Sequence, residues 1–320
     1  MDREVIKIGT RASLLAIAQA TLVRDCLRTH AGDRRVELQT VTTAGDRQKD
    51  RPLAEFGGGK GLFVKELEAD LLAGKIDLAV HSAKDLPVEL PAGLMIAATP
   101  ARAAPNDLWI GWEGKSIAEL PAGAVVGTSS LRRRAQLLIR RPDVRVQPLR
   151  GNIDTRLKKV REGLVAGTFL AQAGLERTRL RSPAAHILPV DEFIPAGGQG
   201  ILAIETRKDD LFLQDMLRNI HDPLTATALA FERAVIRRLA GNCLAPIGVC
   251  ALPRGTADGK PPPGWIVRAF VGMPDGGEAA RAALLTDDPT PVGLHSLLPR
   301  LLAVLEQRGA WEILRRVTEE

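Results

Sequence analysis

The chain contains no tyrosine, and aromatic residues make up only 3% of it. Its core must therefore be built from leucine, isoleucine, valine and alanine. Stacking platforms for nucleic-acid bases are nearly absent, which argues against a nucleic-acid partner despite the basic run Arg132–Arg134 with Arg140 and Arg141. The three cysteines, Cys26, Cys243 and Cys250, form no disulfide framework and fit a reducing compartment better. Neither they nor the five histidines show metal-ligand spacing, so no metal is expected. No apolar run approaches the ~20 residues of a membrane helix. Met1-Asp2-Arg3-Glu4 leads straight into a strand-like run, with no secretory pattern. The expectation is a soluble, cytoplasmic protein with no membrane partner.

What is present is ample for a core: 45% hydrophobic residues in 320, a length that predicts two or three domains. The net charge of +6 and a pI of about 9.5 favour anionic partners. Val5 to Ile8 reads as a buried strand broken by Gly9 and Thr10. A helical pattern follows from Ser13 to about Leu27, then a strand near Val36 to Thr42. A helix from about Leu62 to Ala73 and a strand from Ile76 to His81 continue the alternation. The rhythm restarts after Pro105, with strands at Ala124–Val126, Val144–Leu149, Leu164–Ala171 and His186–Val190, and helices from Leu131 and from Ile153 to Glu162. Ile194 to Gly200 reads as a hinge before a strand at Ile201–Thr206. A long helix, Leu224–Leu239, then leads to strands near Ile247–Leu252 and Trp265–Val271 and a last helix from about Ser296 to Arg308. This predicts an α/β fold of two lobes with mostly parallel sheets and a smaller α+β C-terminal domain. The expected boundaries are 1–100 with 200–219, 104–195, and 222–320.

Three β–α turns each pair arginine with small polar residues: Thr10-Arg11-Ala12-Ser13, Gly127-Thr128-Ser129-Ser130-Leu131-Arg132-Arg133, and Arg150-Gly151-Asn152 with Arg156. Helix starts favour anions through free N–H groups and the macrodipole. Arg132 and Arg133 oppose that dipole unless something negative lies near; the bland reading is an N-cap beside a solvated basic face. Such turns lie at the carboxyl ends of strands, where α/β sheets bind ligands, and guanidinium forks suit carboxylates. In His81-Ser82-Ala83-Lys84-Asp85-Leu86-Pro87, Asp85 stands on an irregular turn. It is a candidate acid or a holder of a ring N–H, with an Asx turn or a salt bridge to Lys84 as the alternative. Gly57-Gly58-Gly59-Lys60-Gly61 lacks the hydroxyl residue and glycine spacing of a nucleotide loop and is read as a flap. Cys243, in Gly241-Asn242-Cys243-Leu244-Ala245-Pro246, is either a buried small hydrophobe or an exposed thiol able to hold a group covalently.

Together with Gly58-Gly59-Lys60-Gly61-Leu62-Phe63-Val64-Lys65-Glu66-Leu67-Glu68, Leu149-Arg150-Gly151-Asn152 and Gly198-Gln199-Gly200, these motifs in this order resemble the porphobilinogen deaminase (hydroxymethylbilane synthase) family along essentially the whole chain. The resemblance implies two lobes like those of periplasmic binding proteins and a dipyrromethane cofactor held by Cys243 through a thioether. Asp85 would contact pyrrole N–H groups and assist loss of ammonia from porphobilinogen. Four condensations and a hydrolysis would then release hydroxymethylbilane. Lys84, Thr128, Ser129, Ser130, Arg132, Arg133 and Arg156 match cofactor-binding positions, and Arg11, Ser13, Gln19, Phe63, Arg150 and Gln199 match substrate-side positions. A monomer that hands its product to uroporphyrinogen III synthase is implied. The chain departs from the family pattern at Asn242, Ala245 and Asn106, in an extra glycine in the Gly57–Gly61 loop, and in lacking Tyr-Asp-Ala near Leu164–Gly167. The rival reading is a non-catalytic two-lobed binding protein for a small anion.

Overall fold

The computed structural model describes residues 3–41, 43, 64–180, 182, 185–239, 245–255 and 263–319. In chain order the described strands are β1 Val5–Arg11, β2 Arg35–Val41, β3 Leu78–Ser82, β4 Leu94–Ala98, β5 Asp107–Gly111, β6 Val125–Gly127 and β7 Arg145–Gln147, followed by β8 Gly167–Ala171, β9 Ala185–Leu188, β10 Leu202–Arg207, β11 Ile247–Pro253, β12 Trp265–Gly272 and β13 Ala279–Thr286. The described helices are α1 Leu14–Arg28, α2 Lys65–Leu72, α3 Leu131–Arg140, α4 Ile153–Arg161, α5 Gln172–Thr178, α6 Leu211–Leu217, α7 Pro223–Leu239, α8 Pro291–Gln307 and α9 Ala310–Glu319. The chain divides into two units, Met1–Ala103 with Gly200–Ala226 and Ala104–Gln199 with Thr227–Glu320.

The first unit carries a sheet of order β2-β1-β3-β10-β4. β1 runs parallel to β2 and β3, while β10 is antiparallel to β3 and β4, so four of the five strands share one direction. Alternation along the strands loads both faces. Ile6, Ile8, Leu78, Val80 and Ile204 pack with Ala20, Val23 and Leu27 of α1. Ala79 faces the other way, into a cluster with Leu67 and Leu71 of α2, Ile76 and Leu94. Burial on both faces is why these strands read as near-continuous apolar runs. β1 does not end at Gly9: parallel pairing continues through Gly9↔Gln39, Thr10↔Thr40 and Arg11↔Val41. Gly9 serves close approach, because a Cβ there would lie 2.3 Å from Ile76 Cδ1.

The second unit repeats the plan with the order β7-β6-β8-β5-β9. β6 is parallel to β7 and β8, and β5 is the reversed strand, antiparallel to β8 and β9. This is the α/β class that the sequence predicts, but the sheets are mixed and not mostly parallel: in each, two pairings are parallel and two, those of the reversed strand, are antiparallel. Trp109 packs edge-on to Phe169 at 5.1 Å, and Phe169 stacks on Phe193 at 5.2 Å. The unit also holds an antiparallel sheet β11-β12-β13, so the expected segment 104–195 and the part of 222–320 from Thr227 on fall together here, each with its own sheet, while 222–226 join the first unit. α8 begins at Pro291, not Ser296: Thr290 is its N-cap, accepting from Gly293 N at 3.1 Å, and proline occupies the first turn, where no N–H is needed. Leu294, Leu297, Leu301 and Leu305 form its buried stripe.

Cutting Phe169 to alanine removes the ring shared by both aromatic contacts and leaves a cavity in a fully buried place. Phe169→Ala is expected to lose ~3–5 kcal/mol in chemical denaturation followed by circular dichroism.

Candidate active site

In the first unit, chemistry-bearing residues gather where β1 and β3 end. Arg11 is the last residue of β1, and Ser13 caps α1, accepting from Ala16 N at 3.3 Å. One turn later, buried Gln19 donates through Nε2 to Ser82 Oγ at 2.8 Å, tying α1 to the end of β3. The chain then makes a single 3₁₀ turn, Ala83–Asp85, anchored by Ala83 N donating to Ile201 O at 3.0 Å. Arg11, Ser13, Gln19, His81, Ser82 and Asp85 line one pocket. Asp85 is exposed there and makes no hydrogen bond or ion pair with any described residue. The Asx turn and the Lys84 salt bridge are therefore not its role in this structure. Its neighbour Lys84 is half-buried on the same turn.

The second unit presents β–α turns after β6 and β7. Their hydroxyls are spent on backbone. Thr128 Oγ1 accepts from Ser130 N at 3.2 Å, and Ser130 Oγ caps α3 by accepting from Arg133 N. Ser129 Oγ accepts from Leu149 N at 3.1 Å and lies 3.2 Å from Leu149 O, stitching the two turns together. Gly151 has φ 116°, a left-handed backbone that favours glycine, and its carbonyl accepts from Arg156 Nε at 2.8 Å. Arg150 Nη1 is buried with no hydrogen-bond partner among the described residues.

The negative partner that Arg132 and Arg133 require is supplied by the chain itself. Asp107, the first residue of β5, is fully buried. Arg132 Nη1 donates to Asp107 Oδ2 at 2.7 Å and to Ile194 O at 2.8 Å. Arg133 donates to Asp107 Oδ1 through Nε (3.0 Å) and Nη2 (2.6 Å), and to Phe169 O through Nη1. Gln199, also fully buried, donates from Nε2 to Asp107 Oδ1 at 3.1 Å and to Pro105 O at 2.7 Å. Burial alone pushes the Asp107 carboxyl up, but the two guanidiniums outweigh it and hold it well below the usual carboxylate range. Three residues expected to face cofactor or substrate are thus turned onto an internal acid. Arg132 and Arg133 are buried and not part of a solvated basic face; at the far end of α3, exposed Arg140 donates to Glu192 O, and half-buried Arg141 to Asp143, Ile117 O and Leu120 O.

Asp107 was not singled out from sequence. The available signal was an acid heading the otherwise apolar run Asp107-Leu108-Trp109-Ile110, opposite two arginines that oppose their helix dipole. Asn106, which departs from the family pattern, donates to Leu188 O at 2.9 Å and so fastens β5 to β9. Cys243, Phe63 and the Gly57–Gly61 loop lie outside the described residues. No helix among the described residues is long and apolar enough to cross a membrane.

Residues 6–215 match the family model described as porphobilinogen deaminase, dipyromethane cofactor binding domain. Over 319 residues the chain is 47% identical to porphobilinogen deaminase of Desulforudis audaxviator, covering 99% of each protein. The chain belongs to the porphobilinogen deaminase family. Two further members of that family are similar over nearly their whole length: those of Brevibacillus brevis, 42% identical with 98% of each chain covered, and of Rubrobacter xylanophilus, 43% identical with 96% of this chain and 95% of that one covered. Among solved structures the chain is similar to the periplasmic aliphatic sulphonate binding protein SsuA from Escherichia coli, with a TM-score of 0.39, 13% identity, and coverage of 74% of this chain and 70% of that one.

Asp107→Ala leaves two buried guanidiniums without their acid and is expected to cost ~3–5 kcal/mol of stability by chemical denaturation. Because the folded carboxyl is depressed, the triad's contribution is present above the ordinary carboxylate range and is lost only as pH falls below it. The stability lost in Asp107→Asn should accordingly be the same at pH 5 and pH 8. A loss below about 1 kcal/mol contradicts the triad's role.

Proposed function

We propose that the protein is a hydroxymethylbilane synthase, a transferase that deaminates four porphobilinogen molecules, links them head to tail and releases the linear tetrapyrrole by hydrolysis. The dipyrromethane held through Cys243, when bound, supplies the free pyrrole end on which the chain is built. Asp85 carries the reading: it is an exposed carboxylate with no described partner, in a pocket that also offers Arg11, Ser13 and Gln19. An unspent negative charge at that place bonds pyrrole N–H groups and stabilises positive charge that develops on the ring as ammonia leaves. Arg11 holds a carboxylate side group of the substrate, and Gln19, locked on Ser82, fixes the pocket wall.

The cofactor's acetate and propionate groups need cations, and this chain's donors fit them. Arg150, whose buried Nη1 has no hydrogen-bond partner among the described residues, Arg156 and half-buried Lys84 are the residues we assign to them. Arg132, Arg133 and Gln199 act one step back: bound to Asp107, they set the shape of the turn after β6. We place the reaction in the cytoplasm, on a single chain, with the product passing to uroporphyrinogen III synthase. The free thiol of Cys26 fits a reducing compartment.

The purified protein should weigh more than its encoded residues by one dipyrromethane in an intact mass spectrum, and Cys243→Ser should lose both that increment and turnover. Asp85→Ala should keep its circular dichroism spectrum and lose at least ~100-fold in kcat. Normal turnover in Cys243→Ser overturns the assignment.

A further inference from the structure

Behind the Asp85 pocket, the α2 face of the first sheet buries a group of acids and an imidazole that the reading above leaves unused. In the antiparallel pairing of β3 and β10, His81 lies opposite Ala203 and Glu205 opposite Ala79. His81 and Glu205 are therefore diagonal neighbours on one face. His81 Nε2 lies 3.0 Å from Glu205 Oε2, and Glu205 is fully buried. Glu68 reaches the same place from α2 and is 7% exposed. Glu68 Oε1 and Glu205 Oε1 are both buried with no hydrogen-bond partner among the described residues. The surroundings on that face are apolar: Leu67, Leu71, Ile76, Ala79 and Leu94.

Two neighbouring carboxylates in such a place are costly to ionise together unless a cation or a proton balances them. Burial pushes the Glu68 carboxyl up and the charge of Glu205 adds to it, while His81 and Lys65 pull it down. The charged or titratable groups facing the cluster are Glu68 and Lys65 on α2, His81 on β3 and Glu205 on β10, with Arg11 and Asp85 in the adjoining pocket. The cluster meets that pocket at one residue, because His81 lines both.

This inference rests on the activity proposed above. Each condensation breaks the carbon–nitrogen bond of an aminomethyl group, forms a carbon–carbon bond and breaks a carbon–hydrogen bond on the accepting ring. The nitrogen leaves with its bonding electron pair as ammonia. The ring proton must be taken up and ends on that ammonia as ammonium, which balances the step. We propose that His81, Glu205 and Glu68 form a proton-holding cluster for this reaction, with His81 as the member that takes the ring proton and passes it on. Glu205 orients the imidazole and offsets the charge it gains, and Glu68 sets the charge of the cluster as a whole. Asp85 stays at the ring N–H groups throughout. Glu68 and Glu205 are positioning residues in this scheme.

The test compares the wild type with His81→Gln, Glu205→Gln and Glu68→Gln in three readouts: dipyrromethane content by intact mass, thermal midpoint, and kcat and KM for porphobilinogen from pH 5 to 9. His81→Gln and Glu205→Gln should carry the full mass increment and lose ~100-fold in kcat with KM changed far less. Glu68 takes up its proton above the ordinary carboxylate range, so the wild-type rate should fall as pH drops through that region. Glu68→Gln, permanently neutral, should flatten that limb at a rate severalfold below wild type. A purely structural role would lower the thermal midpoint and leave the limb where it was. The inference is overturned if Glu68→Gln keeps the wild-type limb, or if folded His81→Gln keeps more than half the wild-type kcat. Should His81→Gln or Glu205→Gln fail to fold, the near-isosteric Glu68→Gln decides alone. A wild-type protein without the mass increment or turnover sinks the proposed activity instead, and the two failures are thereby separated.

Discussion

The second unit depends on one buried acid holding two buried guanidiniums. Asp107 opens the reversed strand β5, Arg132 and Arg133 lie in the first turn of α3, and their contacts lock strand and helix together beside the turn after β6. The desolvation cost of three charges is met by close, directed hydrogen bonds, and the backbone carbonyls of Ile194 and Phe169 take further donors. Gln136 fixes Ile194 from both sides, donating to its carbonyl and accepting from its N–H, so the segment before Gly197 is clamped inside this unit. Glu232 of α7 adds a second clamp, accepting from Gly198 N at 2.6 Å and from Ala251 N at 2.8 Å.

Two aspartates divide the work by environment. Asp107 is buried, saturated with donors and held ionised, which suits it to structure and removes it from chemistry. Asp85 is exposed on a one-turn helix with no described partner, which keeps its charge available. The same division separates the arginines. Arg133 spends all three guanidinium nitrogens within its own unit, whereas Arg150 keeps a buried Nη1 with no partner among the described residues. A buried donor left open costs stability, and such a cost is best understood at a position that receives an anion.

Local geometry was legible where short motifs carry their own. The turn ending at Ser130 was readable as a cap, and Ser130 is the cap; Ser13, expected to begin its helix, caps it. Asp85 stands on the irregular turn that its Leu-Pro neighbours predict. What escaped notice depended on distant partners. No strand was expected between Pro105 and Ala124, yet Asp107 begins a strand whose place is set by pairing with β8 and β9. The expectation that Arg132 and Arg133 await an outside anion followed soundly from the helix dipole, but their counter-charge lies 25 and 26 residues away. β4 and β13 were missed for a related reason. Ala279–Thr286 is rich in helix formers and is drawn into a strand by antiparallel pairing with β12. The buried acids Glu68 and Glu205 gave no local signal, because only the register of β3 and β10 brings Glu205 beside His81.

The account comes down to a chain that makes carbon–carbon bonds by expelling ammonia at an unpaired carboxylate. The most direct measurement counts products: ammonia and linear tetrapyrrole released from porphobilinogen by the purified protein, in one reaction. The account predicts four ammonia molecules for each tetrapyrrole, with the protein's mass the same before and after. Porphobilinogen that binds and is recovered unchanged, with no ammonia formed, would contradict it.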